Sequence, residues 1–485
     1  MLVVGGSLVG ETPSAYAFTS NGIDSIKVAE GETAVRGFTD FKADKERAEK
    51  WAKESYHKWK EKLTKEEQKS MEILKNPIDN QQEFYDINTT LKAFGGDVER
   101  RPIDQGHRPK TERYKKDIKN IEEALKRKEA KLNTNLYVYK NINFADFAEM
   151  NEKDFKNADG TINREKFKEL KFNLSFGKNQ EFTTVDLSET QGKDSGLLKW
   201  RIKLPKGTPT GHINENQLVL DRDIGLEVTD SRIITQKGKE YIRVEADLVP
   251  KEKIDKKVRE NVTKLNGEIN QLLEQPSETE MIEFRLHNLA GSVISEQGRE
   301  LFRDVGSQID NEILKKVSHF MSEKGGKIII ADITPAAIKE SFEPLDQTEA
   351  NLDYLMTAGG VYNKFNKTIV LDAKNSFKYG AKLDSGDFIH ELGHATDYYA
   401  GELVSPGKNV SISGSSGFKK IFDVEKNNLT EYAKTNHREF WAEAFRLMHS
   451  KNPEDIKFVK EHAPQTYEFI SKVLQVIRNL KGETK

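Results

Sequence analysis

Residues 390–394 read HELGH, and this short stretch decides how the second half of the chain is interpreted. On a helix, His390 and His394 are four residues apart, so both imidazoles lie on one face and can bind a single Zn²⁺. Glu391 lies beside the open coordination position, where a carboxylate can accept a proton from a metal-bound water and pass it to a leaving amine. The alternative is an ordinary helix with two exposed histidines. The pattern predicts a helix that carries both metal ligands and a general base.

A catalytic zinc site needs a third protein ligand and keeps its fourth position for water. Metzincin-type proteases place a third histidine six residues after the second, but this chain has Ala400 there, which excludes that class. Glu439 and Glu443 lie four residues apart in EFWAEAFRLMH and share a face of a second predicted helix. Because Glu439 lies 45 positions after His394, a loop and a return helix can bring the two together. We predict Glu439 as the third ligand, and Glu443 as the group that orients a ligand imidazole.

Three alternatives stay open around this second helix. Paired glutamates are also typical of a solvated helix face. His437 competes as a ligand, although it lies two residues from Glu439 and points elsewhere on the helix. Tyr432 precedes the helix and can donate its hydroxyl hydrogen to a developing oxyanion, but a loop tyrosine is equally a structural residue.

Composition excludes several other classes. The 485 residues predict two to four domains at roughly 100–200 residues each. The mean hydropathy is -0.72, and no apolar stretch approaches the ~20 residues that span a bilayer. A net charge of -2 argues against a globally basic nucleic-acid binder without excluding a local patch. The absence of cysteine excludes thiol catalysis, disulfides, thiolate zinc sites and iron–sulfur clusters, so any metal must be held by His, Asp and Glu.

The first residues resemble a secretion signal. Residues 1–17 begin with an apolar run and end in Ala15-Tyr16-Ala17, an A-x-A pattern that predicts signal-peptidase cleavage after Ala17. No positively charged segment precedes the run, and the alternative is a disordered N-terminus that happens to contain AYA. Residues 18–41 show no clear periodicity and are interpreted as a leader or linker. We therefore expect a secreted bacterial protein, with a cytosolic one as the alternative.

Periodicity divides the remainder into two α+β units, residues 42–250 and 251–485. In the first unit, the spacing of apolar residues predicts helices at 42–63, 64–74 and 112–130, and strands at 136–139, 198–204, 218–228 and 241–249. The Asn, Asp, Gly and Pro content of residues 78–109 predicts a loop. In the second unit, the spacing of apolar residues predicts helices at 251–273, 310–324, 387–399, 437–449 and 464–480, and strands at 327–333 and 368–371.

Two blocks of the second unit resemble a known family. FIHELGHATDYYAG (388–401) and NLTEYAKTNHREFWAEAFRLMHS (428–450) closely resemble the catalytic domain of the anthrax lethal factor family of zinc endopeptidase toxins. The likeness continues upstream through LKWRIKLP, LVLDRDIGLEV, KEYIRVEADLVPKEKID and RYKKDIKNIEEAL, so it covers most of the chain from about residue 42. It implies a zincin (HExxH) metalloprotease domain with about one Zn²⁺ per chain. By the same resemblance, His390, His394 and Glu439 bind zinc, Glu391 is the general base, and Tyr432 assists the transition state.

The resemblance also assigns residues 42–250 a fold related to ADP-ribosylating toxins. Such enzymes use an arginine after a strand, a Ser-Thr-Ser segment, and a catalytic glutamate two residues after another Glu or Gln. The counterparts here are Lys140, Thr183-Thr184-Val185 and, after Glu215, Gln217. An amide cannot supply the carboxylate that stabilises a ribosyl cation. We therefore predict a catalytically inactive domain that helps to form the substrate groove.

These observations lead to three competing functions. The first is a secreted zinc metalloendopeptidase that is a toxin or virulence factor. Its substrates would be proteins or peptides, with host signalling kinases as one candidate class, and it would act inside host cells. The second is an ADP-ribosyltransferase, and the third is a non-catalytic binding component. We expect no nucleic acid and no stable membrane insertion. We also expect no carrier docking, because the family's carrier-binding domain has no room before Lys42 and only one copy of its helical repeat, LTKEEQKSMEIL, is present.

Overall fold

The computed structural model describes residues 37–75, 81–97, 108–142, 152–173, 176–189, 196–273, 281–285, 291–345, 352–373 and 385–480. The predicted signal segment and most of the predicted leader lie outside these residues, so both stay predictions. Among the helices of the described ranges, none is long and apolar enough to cross a bilayer.

The first half is built on one mixed sheet, which has nine strands within the described ranges. Its strands are β1 (Phe38–Thr39), β2 (Asn135–Ile142), β3 (Phe176–Asn179), β4 (Thr183–Asp186), β5 (Leu198–Leu204), β6 (Thr210–Asn214), β7 (Gln217–Leu220), β8 (Ile224–Gln236) and β9 (Lys239–Val249). Their order is β3-β8-β9-β5-β2-β4-β7-β6, with β1 beside β2. The β5–β9 and β1–β2 pairs are parallel, and the other neighbours are antiparallel.

Helices cover this sheet and supply the other side of its core. They are α1 (Lys45–Lys62), α2 (Lys65–Lys75), α3 (Gln81–Ala93), α4 (Arg108–Lys126) and α5 (Arg164–Asn173). Trp59 of α1 is buried, and its indole N–H donates to the carbonyl of Ala124 at 2.8 Å, which ties α1 to α4. A capping box opens α2: Thr64 Oγ1 accepts from the Glu67 N–H at 3.1 Å, and Glu67 accepts from the Thr64 N–H at 2.7 Å.

Three predictions for this half are wrong in detail. The predicted loop at 78–109 contains α3, whose polar sequence is held helical because Ile87 and Leu91 are fully buried in the core. The predicted strand at 218–228 is two strands separated by a turn, where Asp223 adopts a positive φ of 62°. The predicted helix at 112–130 begins earlier and ends at Lys126, before a separate 3₁₀ turn.

The second half combines a small sheet with a helical layer. Helix α6 (Lys251–Leu272) leads into the sheet, whose described strands are β10 (Ile282–Arg285), β11 (Ile328–Ala331), β12 (Gly360–Asn363) and β13 (Thr368–Asp372). The order is β10-β11-β13-β12, with β12 the antiparallel edge strand. The other helices are α7 (Gly291–Gln308), α8 (Asn311–Glu323), α9 (Leu352–Thr357), α10 (Ser385–Val404), α11 (Ser416–Glu425), α12 (His437–Met448), α13 (Pro453–His462) and α14 (Pro464–Asn479).

One contact between the two halves lies at the end of α3. Phe94 is buried among side chains of the second half that include Ile333 and Ala336. The Thr334 N–H donates to the carbonyl of Ala93 at 2.9 Å, which fixes the contact. The chain is therefore a mixed α/β protein whose halves share apolar surface. The unit boundary at 250 stays a prediction, although α6 begins directly after Pro250.

Candidate metal centre

Helix α10 holds the HELGH histidines side by side. Its apolar residues Phe388, Ile389 and Leu392 are buried, so this face of the helix packs in the hydrophobic core. The ring centroids of His390 and His394 lie 4.9 Å apart in an edge-to-face arrangement. Both rings therefore project from the same face of the helix, as their spacing predicts.

Helix α12 brings Glu439 to the two rings. Asn436 caps this helix, and its Oδ1 accepts from the Arg438 N–H at 2.9 Å and from the Glu439 N–H at 3.2 Å. Glu439 Oε2 then lies 3.1 Å from His390 Nε2 and 3.3 Å from His394 Nε2. One ligand atom from each of these three residues lies within 4.8 Å of the other two. Since ligands about 2.1 Å from a tetrahedral zinc lie roughly 3.4 Å apart, the donor set and its spacing fit Zn²⁺.

Close packing of α10 on α12 sets this distance. A Cβ at Gly393 would lie 3.0 Å from Ala442 Cα and 3.2 Å from Phe445 Cβ, so only glycine fits there without displacement. The Trp441 indole N–H donates to the Gly393 carbonyl at 3.0 Å. The backbones of α10 and α12 therefore approach closely next to the three candidate ligands.

Glu443 contacts the far side of the first imidazole. Its Oε2 lies 3.3 Å from His390 Nδ1, and its Oε1 accepts from Arg446 at 2.6 Å and from the Thr430 hydroxyl at 3.2 Å. Burial raises the pKa of Glu443, but the hydrogen bonds to His390 and Arg446 outweigh burial and lower it to about 2. The carboxylate is therefore charged at neutral pH. No motif in the sequence predicts that Thr430 and Arg446 contact Glu443.

The protonation of the site follows from burial and from these carboxylates. Burial lowers the pKa of His390, but hydrogen bonds to Glu439 and Glu443 outweigh burial and raise the pKa to about 10. Burial raises the pKa of Glu391 against the opposing effect of the two histidines, which suits a general base. Glu391 lies against β12, where a Cβ on Gly360 would be 3.0 Å from Glu391 Cγ.

Two tyrosines lie at the mouth of the site. Tyr432 begins a 3₁₀ turn before α12, is 42% exposed, and has its ring centroid 5.7 Å from that of His390. Its hydroxyl lies 3.1 Å from the hydroxyl of Tyr354 on α9. Burial, and then the charge of Glu391, raise the pKa of Tyr354 to about 12, so this phenol is protonated at neutral pH. No sequence pattern predicts a role for Tyr354, because an isolated tyrosine 36 residues before His390 belongs to no motif.

The competing ligand His437 lies outside the cluster. Its ring contacts Phe422 edge to face, with centroids 6.4 Å apart, and its Nε2 is buried without a hydrogen-bond partner among the described residues. The metal-type cluster found in the described ranges comprises His390, His394 and Glu439. His437 is therefore part of the packing around α11 and α12.

The counterparts of the transferase residues lie on the first sheet. Lys140 is on β2 and Gln217 is on β7. Both ends of the Gln217 amide are bonded: its Nε2 donates to Asp186 Oδ1 at 3.0 Å, and its Oε1 accepts from Asn214 at 2.9 Å. The side chain is thus held by its neighbours as an amide.

Comparisons with known proteins cover both halves. Residues 60–249 match the family model for the middle domain of anthrax toxin lethal factor, and residues 257–473 match the model for its N- and C-terminal domains. Lethal factor of Bacillus anthracis is 36% identical over 400 residues, which is 81% of this chain and 48% of that protein. The chain therefore spans about half the length of this curated relative.

Solved structures of ADP-ribosylating toxins also match, at low overall similarity. Plx2a, an ADP-ribosyltransferase toxin from Paenibacillus larvae, is 25% identical, with 43% of this chain and 98% of that chain covered and a TM-score of 0.36. The enzymatic component C2-I of the Clostridium botulinum C2 toxin at pH 6.1 is 18% identical, with 66% of this chain and 65% of that chain covered and a TM-score of 0.36.

Proposed function

This chain belongs to the anthrax toxin lethal factor family, and we propose that it is a secreted zinc metalloendopeptidase of the toxin class that hydrolyses peptide bonds of a protein substrate. The observation that carries the proposal is the convergence of Glu439 with His390 and His394, next to a buried Glu391. A pure binding module has no use for two imidazoles and a carboxylate arranged around an open position.

The three ligand residues would hold Zn²⁺, which supplies a Lewis acid for the scissile carbonyl and lowers the pKa of a bound water. Glu391 is proposed to accept the proton from that water on its carboxylate and then to pass it to the departing amine. Its burial beside Gly360 keeps bulk water away from the carboxylate and supports this role.

Tyr432 is proposed to stabilise the developing oxyanion. Its ring lies next to that of His390, and burial raises the pKa of its hydroxyl, so the group is protonated and can donate a hydrogen bond. Glu443 is proposed to hold His390 through Nδ1, so that Nε2 is directed to the metal. Arg446 and Thr430 in turn hold Glu443 in place.

The edge strand β12 is the proposed docking site for the substrate backbone. It pairs with β13 on one side, and its other edge has no strand partner within the described ranges. An extended peptide can add to such an edge through main-chain hydrogen bonds. Because Gly360 of β12 lies against Glu391, a peptide bound there passes close to the general base.

The first half is proposed to shape the substrate groove without catalysis of its own. The bonded amide of Gln217 supports this, since a glutamine at this position offers no carboxylate for ADP-ribosyl transfer. A protein substrate, with host signalling kinases as one candidate class, is part of the same proposal. Action inside host cells belongs to it as well.

The test is the substitution Glu391→Gln, which keeps the size of the side chain but replaces the proton-accepting carboxylate with a neutral amide. We expect cleavage of a peptide library, read by mass spectrometry, to fall at least about 10²-fold, with zinc content and fold unchanged. The control is Glu468→Gln, an exposed glutamate on α14 that pairs with Lys472 and should cleave like the parent chain. Retained turnover in Glu391→Gln would refute the mechanism.

A further inference from the structure

A second tyrosine hydroxyl lies at the mouth of the metal centre, 3.1 Å from that of Tyr432. We propose that Tyr354 is a positioning residue. Its hydroxyl donates a hydrogen bond to the hydroxyl oxygen of Tyr432, and this bond directs the Tyr432 O–H toward the developing oxyanion. The inference rests on the proposed function, because it assigns a purpose to a group that acts only through Tyr432.

The backbone around Tyr354 is firmly anchored, so its side chain can fix the orientation of the Tyr432 hydroxyl. Tyr354 lies on α9, where the next residue, Leu355, is buried against the second sheet. The Thr334 hydroxyl donates to the carbonyls of Leu355 at 3.0 Å and Met356 at 3.1 Å, which fixes the end of the helix. Tyr432 instead begins a short 3₁₀ turn of four residues, Tyr432–Thr435. The hydroxyl pair therefore joins an anchored helix to a short turn beside His390.

The direction of the hydrogen bond follows from what a phenol can do. Each hydroxyl donates one hydrogen and accepts through its lone pairs. If Tyr432 donated to Tyr354, no hydrogen would remain for an oxyanion. When Tyr354 donates instead, the Tyr432 hydrogen is free, and the chain of two hydrogen bonds polarises it further. An oxyanion that needs a donor selects this second arrangement.

The kinetic test compares Tyr354→Phe, Tyr432→Phe and the double variant. We expect Tyr354→Phe to lower kcat about 5–20-fold with KM within about twofold, and Tyr432→Phe to lower kcat about 10²-fold. The double variant should match Tyr432→Phe alone, because Tyr354 acts only through that hydroxyl. The control is Tyr399→Phe on α10, whose ring stacks on Phe320 at 5.0 Å and should leave kcat unchanged. An unchanged kcat in Tyr354→Phe, or a double variant whose loss is the product of the two, would overturn the inference.

A binding test needs no turnover. Zinc-loaded variants are titrated by calorimetry with a Leu-Leu peptide phosphonate, which carries a tetrahedral oxyanion, and with a mercaptoacetyl-Leu-Leu peptide, which binds metal through sulfur. We expect Tyr354→Phe to weaken phosphonate binding about 5–20-fold and to leave thiol binding unchanged. Equal effects on both ligands, or none, would overturn the inference. A parent chain that binds the phosphonate through this pair but cleaves no peptide contradicts the proposed function alone.

Discussion

At the level of single residues, the site depends on what holds each imidazole. His390 contacts two carboxylates, Glu439 at Nε2 and Glu443 at Nδ1, so its ring is fixed from both sides. Glu443 is itself buried and bonded to Arg446. A change at Glu443 should therefore act on the metal through the orientation and basicity of His390, without removing a ligand.

We expect Glu443→Gln to weaken zinc binding about 10–100-fold, because the amide leaves Arg446 without its anionic partner and holds His390 less strongly. Competition with a chromophoric chelator measures the affinity. Glu468→Gln serves as the matched control. An affinity equal to that of the parent chain would show that Glu443 does not support the ligand.

At the level of elements, the spacing of α10 and α12 decides whether Glu439 reaches the two histidines. Gly393 lies at the contact, where a Cβ would press on Ala442 Cα, a backbone atom that cannot rotate away. The neighbouring hydrogen bond from Trp441 to the Gly393 carbonyl holds the same contact. Any group added at Gly393 must therefore move one helix relative to the other.

We expect Gly393→Ala to lower the free energy of unfolding by about 1–3 kcal/mol and to weaken zinc binding as well, since the ligands move apart with the helices. Urea denaturation and chelator competition measure the two effects. Gly417→Ala on α11 is the control, because its Cβ would meet no atom within 4 Å. That variant should change the stability by no more than about 1 kcal/mol. Unchanged stability and affinity in Gly393→Ala would contradict the packing argument.

At the level of the whole molecule, the two halves are joined by apolar contact. Phe94 follows α3 of the first half and is 1% exposed, packed among residues of the second half. Because the hydrogen bond between Thr334 and Ala93 lies beside it, the apolar contact and the backbone contact support each other. The stability of the second half, which carries His390 and His394, is therefore coupled to that of the first half.

We expect Phe94→Ala to lower the free energy of unfolding by about 3–5 kcal/mol, because it removes a buried ring and leaves a cavity between the halves. Guanidinium denaturation measures the loss. Phe365→Ala removes a ring that is 45% exposed and should cost far less. Equal losses in the two variants would show that Phe94 does not hold the halves together.

Much of the architecture could be predicted from local pattern. The helices α1, α6 and α12 begin and end within a few residues of their predicted bounds, and β5 matches exactly the predicted range 198–204. The prediction was wrong for α3, where burial of the helix overrides weak local propensity. The resemblance to the lethal factor family is confirmed by the matches to both halves.

The sequence by itself determined that His390 and His394 share one face, because a spacing of four residues is close to one turn of a helix. Only the tertiary structure decided which distant groups meet them. Glu439 approaches because Gly393 lets α12 pack closely, and His437 on the same helix does not. Tyr354 comes to the site because α9 is anchored on the second sheet, which no local pattern encodes. Contacts between residues far apart in the chain depend on how whole elements pack, whereas helical periodicity is a property of neighbours.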